Sequence, residues 1–326
     1  LRRMVRLGRV HRITSIADMI SSRIGKSPAL AALVTLIAVV GTTPYIALQL
    51  QSIALSYATI VGDSNHTRTA FWVAAGMAAF TILFGTRSID ANERHSGVVA
   101  AIALEALVKL AALVAVGLFV VFWVMGGVGE TFAAMPARLT DPDAIFGPRW
   151  AALTFLAAAA VLVLPRMFQV IVVENVDERH LATASWLFPL YLFLMSLFVL
   201  PIAAAGLTGL PAEANPDMFM ITVPASVGRD DLVLLAFIGG FSSATSMVIV
   251  AAIALSTMLS NQVVMPLAVR YLRGARAASG DVRDLLLVSR RIAIGAVFLL
   301  GFLYHELTGG SDALAAIGLI AFAGLA

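Results

Sequence analysis

From Leu232 to Val269 the chain contains no Asp, Glu, Lys or Arg. A helix needs about 20 consecutive apolar residues to cross the hydrocarbon of a bilayer, so this run is long enough to cross it once. About a third of the way along it, Gly239-Gly240 is followed by the hydroxyl-rich string Ser242-Ser243-Ala244-Thr245-Ser246. Polar side chains at that depth are costly unless they find a partner. Two readings follow. The hydroxyls either bond back to carbonyls of their own helix and pack at a helix seam, or they face an ion path. Sodium prefers hard oxygen ligands, which two adjacent hydroxyls and free carbonyls near Gly239-Gly240 could supply.

The remainder of the chain belongs to the same solvent. Only 13% of its 326 residues are charged and 60% are hydrophobic, against about 25% charged in a soluble domain. The chain therefore reads as an all-α integral membrane protein. Apolar runs place spans within 27–62 (interrupted at Gly41-Thr42-Thr43-Pro44), 69–86, 96–126, 149–173 with Pro165 inside, 182–206, 232–264 and 290–306. A truncated eighth starts near Asp312. The first residue is Leu1, and the last apolar run ends at Ala326 after too few residues to span. A fragment of a longer protein is therefore expected, incomplete at both ends, forming one transmembrane domain over residues 1–326. The absence of cysteine excludes disulfides and thiolate metal sites.

Basic residues alternate across these spans. Seventeen of the 22 Lys and Arg fall in segments 1–26, 87–95, 166–181 and 265–291, and four in the intervening loops. The positive-inside rule then puts the N-terminus in the cytoplasm. This distribution also argues against nucleic-acid binding, which the net charge of +3 alone would not. Residues 14–25 predict a short interfacial helix, with Ser15 and Asp18 as a capping box and Gly25 as its stop.

Four further features could carry chemistry. Glu105 and Lys109 stand four apart in the third span, where a mutual ion pair would offset the cost of each charge. Pro165 interrupts the fourth span, with Arg166, Gln169 and Glu174 following. Such a site is either a kinked continuous helix or a discontinuous one whose freed backbone lines a cavity. Gln49 and Gln51 add polar groups to the first span. Gly25-Lys26-Ser27 ends like a phosphate-binding loop but lacks the leading glycine and strand that motif requires, so it reads as a helix end. The five histidines have no metal-ligand spacing.

The order of these features resembles the sodium:solute symporter family, and more narrowly the symporter-like N-terminal domain of bacterial sensor histidine kinases. The strings that carry the resemblance are Thr14-Ser15-Ile16-Ala17-Asp18, Ala47-Leu48-Gln49-Leu50-Gln51 and Leu83-Phe84-Gly85-Thr86-Arg87. Further along come Glu93-Arg94-His95-Ser96-Gly97, Glu105 with Lys109-Leu110, and Gly239-Gly240-Phe241-Ser242. The resemblance covers the whole chain. It implies a leucine-transporter-like inverted repeat in a bacterial inner membrane. The implied function is sodium-coupled transport or sensing of a small organic solute, an amino acid among the candidates. A stand-alone symporter and a binding-only receptor are the rival readings. Ser242 and Ser243 would be sodium hydroxyl ligands and Gly239 a carbonyl ligand, in a site left incomplete because the first core helix is missing. Pro165, Gln169, Gln49, Glu105 and Lys109 would serve substrate or gating, with sodium as coupling ion and no other cofactor. A kinase domain elsewhere in the parent chain would add a response regulator to the partners. Met247 departs from the family, in which many transporters carry a polar residue at that place.

Overall fold

The computed structural model describes residues 1–62, 66–85, 96–142, 146–272, 282–308 and Gly318. Every regular element among them is helical. In chain order they are α1 (Arg2–Val10), α2 (Ile16–Arg23), α3 (Pro28–Val61), α4 (His66–Gly85), α5 (Ser96–Phe119), α6 (Val128–Ala133) and α7 (Ala137–Thr140). Then follow α8 (Pro148–Val163), α9 (Pro165–Phe168), α10 (His180–Leu197), α11 (Val199–Gly209), α12 (Phe219–Ser226), α13 (Asp230–Leu259), α14 (Met265–Leu272) and α15 (Val282–Leu307). Three helices continue into a π turn, at Val120–Val124, Gln169–Val173 and Ser260–Val264. Helices satisfy every backbone group internally, which a bilayer demands.

Six of these elements or continuous pairs are long and apolar enough to cross a membrane. The bent pair Pro148–Val163 and Pro165–Val173 makes a seventh. The chain is a multi-pass, all-α membrane protein, and its spans follow the apolar runs of the sequence. The expected eighth span near Asp312 lies outside the described residues.

Local chemistry sets the ends. Ser27 caps α3 by accepting from the Leu30 amide at 3.3 Å, and Pro28 occupies the first turn, where its missing N–H costs nothing. At the far end Gly62 adopts φ +74° and returns its amide to the Ala58 carbonyl, a left-handed cap that a β-carbon would strain. Around α2 the expected capping box forms. Ser15 Oγ accepts from the Asp18 amide at 3.2 Å, and Asp18 Oδ2 accepts from the Thr14 amide at 3.1 Å.

The expected interruption of the first span at Pro44 does not occur. α3 runs 34 residues without a break. Proline removes one backbone donor, but Gly41, Thr42, Pro44 and Tyr45 are all buried by neighbouring helices. The Thr43 hydroxyl also donates to the Val39 carbonyl at 2.8 Å in this turn. The helix therefore runs on through its proline without a break.

Pro165 behaves in the opposite way. Leu164 is extended, at φ −65° and ψ 127°, and the two halves meet at 48°. A proline pushes the residue before it out of the helical region, and here nothing restores it.

α13 is the spine of the bundle. It packs on α5, α3 and α15, and its two ends enter different apolar clusters. Leu232, Val233 and Ala236 join Val116, Val120 and Phe219. Ala244, Val248 and Leu255 join Ile46, Phe168 and Ile294. Lipid tails are as apolar as these side chains, so the helices are held by close packing more than by expulsion from water. Glycines mark the tight seams. A β-carbon on Gly301 of α15 would lie 2.6 Å from Ile46 Cγ2 of α3. The polar segment Gly239–Ser246 sits where α13 passes from one cluster to the other.

Two pieces had no counterpart in the spans read from sequence. α1 is a nine-residue helix rich in arginine. It rests on the π turn after α9 through Gly8 and Val172, and Arg6 pairs with Glu178 at 3.1 Å. α12 lies in a connection between spans, yet it buries Phe219, Ile221 and Val223.

Candidate functional site

The hydroxyls of α13 divide into two pairs. Thr245 Oγ1 donates to the carbonyls of Phe241 and Ser242 at 2.9 and 3.0 Å, and Ser246 Oγ to those of Ser242 and Ser243 at 3.1 and 3.2 Å. These two are helix back-bonders. Ser242 and Ser243 are half-buried and have no hydrogen bond from either hydroxyl among the described residues. They are the two hard oxygens on this stretch left over for a ligand, and a hydroxyl pair suits a hard cation.

Gly239 does not share that freedom. α13 is continuous through Gly239-Gly240, so its carbonyls stay in the helical ladder. A β-carbon on Gly239 would stand 2.6 Å from Ala112 Cβ, 3.7 Å from Lys109 Cα and 3.9 Å from the Val108 carbonyl. The residue is glycine because α5 crosses there. The open carbonyls expected at Gly239-Gly240 are absent from this helix.

Glu105 and Lys109 are not the expected ion pair. No acidic and basic side chains of the two approach within 4 Å, and each looks elsewhere. Glu105 has the Ser246 hydroxyl as its neighbour, while its Oε2 is buried without a hydrogen bond. It also lines a 710 Å³ cavity walled by Tyr57, Trp72, Phe80, Phe237 and Phe241. Lys109 lies close enough to Arg166 for the two cations to repel. The spacing of four placed both residues on one face of α5. The crossing of α13 at Gly239 and Ser246 then drew them to different neighbours.

Across α13 from that cavity, the break at Pro165 organises a second group of residues. Arg166 half-emerges from the turn, with its guanidinium carbon 3.9 Å above the centre of the Tyr45 ring. It donates through Nη1 to Met247 Sδ at 3.3 Å. The Tyr45 hydroxyl donates to the same sulfur at 2.7 Å, and Gln49, one turn further along α3, hydrogen-bonds with Tyr45. Gln169 is buried and donates to Glu174 Oε1 at 3.0 Å, so it steadies the π turn below the break.

Of the residues singled out from sequence, the structure joins Gln49 to this cluster and puts Pro165 at its origin. Gln169 lies beneath it, Lys109 beside it, and Glu105 at the separate cavity. Ser242 and Ser243 stand on α13 one turn before Met247. The residues that hold the cluster together are Arg166, Tyr45 and Met247. An arginine inside an apolar span was the signal for the first. Nothing in the pattern marked a tyrosine and a methionine 202 positions apart as partners.

Comparison with known protein families, with characterised proteins and with solved structures finds no match to this chain.

Proposed function

We propose that this chain is a symporter-like membrane domain that moves or senses a small organic solute with sodium as coupling ion. In this reading it has a leucine-transporter-like inverted repeat, sits in a bacterial inner membrane with its N-terminus in the cytoplasm, and serves as the input of a sensor histidine kinase acting on a response regulator. The observation that carries the reading is the break at Pro165. A span that stops, turns by 48° and presents Arg166 to Tyr45 and Met247 has the form that carriers give to a solute path, where irregular backbone is tolerated because it lines a polar interior. The unbonded hydroxyls of Ser242 and Ser243 lie one turn away and supply part of a cation's shell.

The test replaces both serines by alanine in the full-length protein. Size and helix propensity barely change, so the protein should express and fold. In proteoliposomes with an imposed sodium gradient, half-maximal solute uptake should require much more sodium than in the parent. An unchanged sodium requirement with intact uptake would remove the two serines from the cation site. Solute binding without gradient-driven uptake in the parent protein would favour a receptor over a carrier.

A further inference from the structure

Two cations, Lys109 within the third span and Arg166 half-exposed at the break of the fourth, have no acid on either. Lys109 stands where α5 crosses α13, its Cα 3.7 Å from the β-carbon position of Gly239, within the electrostatic reach of Arg166, and no Asp or Glu among the described residues comes within 4 Å of either charged group. Glu105 faces Ser246 and the aromatic cavity, and Glu174 accepts from Gln169. A charge at membrane depth costs several kcal/mol unless paired, and two like charges side by side cost more than either alone.

What Arg166 has instead of a carboxylate is poor compensation. A guanidinium carries five N–H donors. Its partners among the described residues are a thioether sulfur, which accepts weakly, at 3.3 Å, and Tyr45, whose ring face lies 3.9 Å away and whose neutral hydroxyl oxygen is a further acceptor. The ring covers one face of the guanidinium plane and fixes its tilt, but it leaves most of the donors at the edge unmet. The Tyr45 hydroxyl gives its proton to Met247 Sδ at 2.7 Å, so its oxygen remains a neutral acceptor toward Arg166 and Gln49 and carries no charge to balance the guanidinium. The arrangement is held in place from three helices, α3, α9 and α13, and is short of one negative charge.

We propose that the missing charge arrives with the ligand: the Arg166–Tyr45–Met247 cluster, with Lys109 beside it, binds an organic carboxylate. A carboxylate matches the guanidinium fork with two parallel hydrogen bonds. Lys109 then contributes as a second, more flexible positive charge. The same group that makes the empty cluster costly makes the filled one stable, because the carboxylate removes the repulsion between the cations. This inference rests on the reading of the Pro165 break as a solute path, and it narrows the solute to an anion or to a molecule with an anionic end.

Binding of simple probes separates the two claims. The full-length protein in nanodiscs is heated in chloride buffer alone and with millimolar propionate, succinate or propionamide, and unfolding is followed by tryptophan fluorescence. Ligands that bind only the folded state raise Tm. Propionate and succinate should raise it and propionamide should not. Arg166→Gln should weaken the carboxylate effect at least about tenfold. Arg166→Lys, which keeps the charge and loses the fork, should retain part of it. Should Arg166→Gln fail to fold, Lys109→Gln supplies the second arm and should also weaken it. Equal stabilisation by propionate and propionamide, or an undiminished carboxylate effect in a folded Arg166 or Lys109 variant, overturns the proposal even if sodium-driven uptake is found. Carboxylate binding through Arg166 with no sodium-driven uptake leaves it standing and removes transport instead.

Discussion

Gly239→Ala places one methyl group where α13 crosses α5, and the structure sets the size of the effect. The new carbon would sit 2.6 Å from Ala112 Cβ, about 1 Å inside the 3.5–4.0 Å at which two carbons attract best. Either the helices part or both side-chain carbons shift. Parting by that distance forfeits a quarter to a half of the dispersion energy of each contact along the seam. Overpacking of this kind costs about 1–3 kcal/mol, a factor of roughly 5 to 150 in the folded-to-unfolded ratio. Removing the obstacle reverses it. With Ala112→Gly in place, the nearest remaining atoms to the added methyl would be Lys109 Cα at 3.7 Å and the Val108 carbonyl at 3.9 Å, both ordinary contacts. Ala112→Gly alone should cost about 1 kcal/mol through helix propensity. The double variant should therefore be more stable than the sum of the singles, by roughly 1–2 kcal/mol of coupling. Unfolding of the four proteins by SDS titration in mixed micelles, followed by circular dichroism, measures the cycle. Strict additivity, or a Gly239→Ala protein as stable as the parent, would refute the close crossing.

Two further outcomes follow from contacts already described. Glu105→Gln should couple more strongly with Ser246→Ala than with Lys109→Met in double-mutant cycles of stability, because the carboxylate neighbours Ser246 and not the ammonium; larger coupling with Lys109 would restore the helical ion pair. The docking of α1 should loosen in acid. Arg6 donates to both Glu178 oxygens at 3.2 and 3.1 Å and holds that carboxyl below its usual range. A carboxyl with a depressed folded pKa stabilises above its unfolded value, and that contribution is lost as pH falls through the folded one. Protection of the amides of residues 2–10, taken relative to their intrinsic exchange rate at each pH, should therefore fall as the solution is acidified below the ordinary carboxylate range, and Glu178→Gln should abolish that fall.

Much of the architecture was legible because the bilayer imposes length and apolarity on anything that crosses it. The uncharged run after Leu232 and the capping box at Ser15 each became the element the residues implied, and Pro165, which left a kink and a break both open, became a break. The two prolines show where that reading ends. Pro44 and Pro165 look alike in sequence, and both are buried. What separates them is the residue ahead: Thr43 stays helical with its hydroxyl on the Val39 carbonyl, whereas Leu164 is extended. Likewise, the four-residue spacing of Glu105 and Lys109 fixed a shared face but not a shared partner, because the crossing of α13 decides which neighbour each side chain meets. The hydroxyl cluster was visible as a cluster. Only the hydrogen bonds tell the back-bonding pair, Thr245 and Ser246, from the free pair. α1 escaped notice because its arginines hide a face that packs on the π turn, a contact made by residues far apart in the chain.

The unbroken course of α3 has a consequence for the lipid. Its 34 residues, none charged, make a rod of about 51 Å at 1.5 Å per residue, against a hydrocarbon slab of about 30 Å. Such a rod meets the slab by tilting or by drawing thicker lipid around it, and the balance shifts with acyl-chain length. α13 and its π turn form a rod of nearly the same length, from Asp230 to Val264. Tyr45 rides on one rod and Met247 on the other, whereas Arg166 rides on the short segment after the break. The two rods that carry Tyr45 and Met247 are thus the elements whose tilt should answer to acyl-chain length, while the short segment that carries Arg166 has no such excess of length.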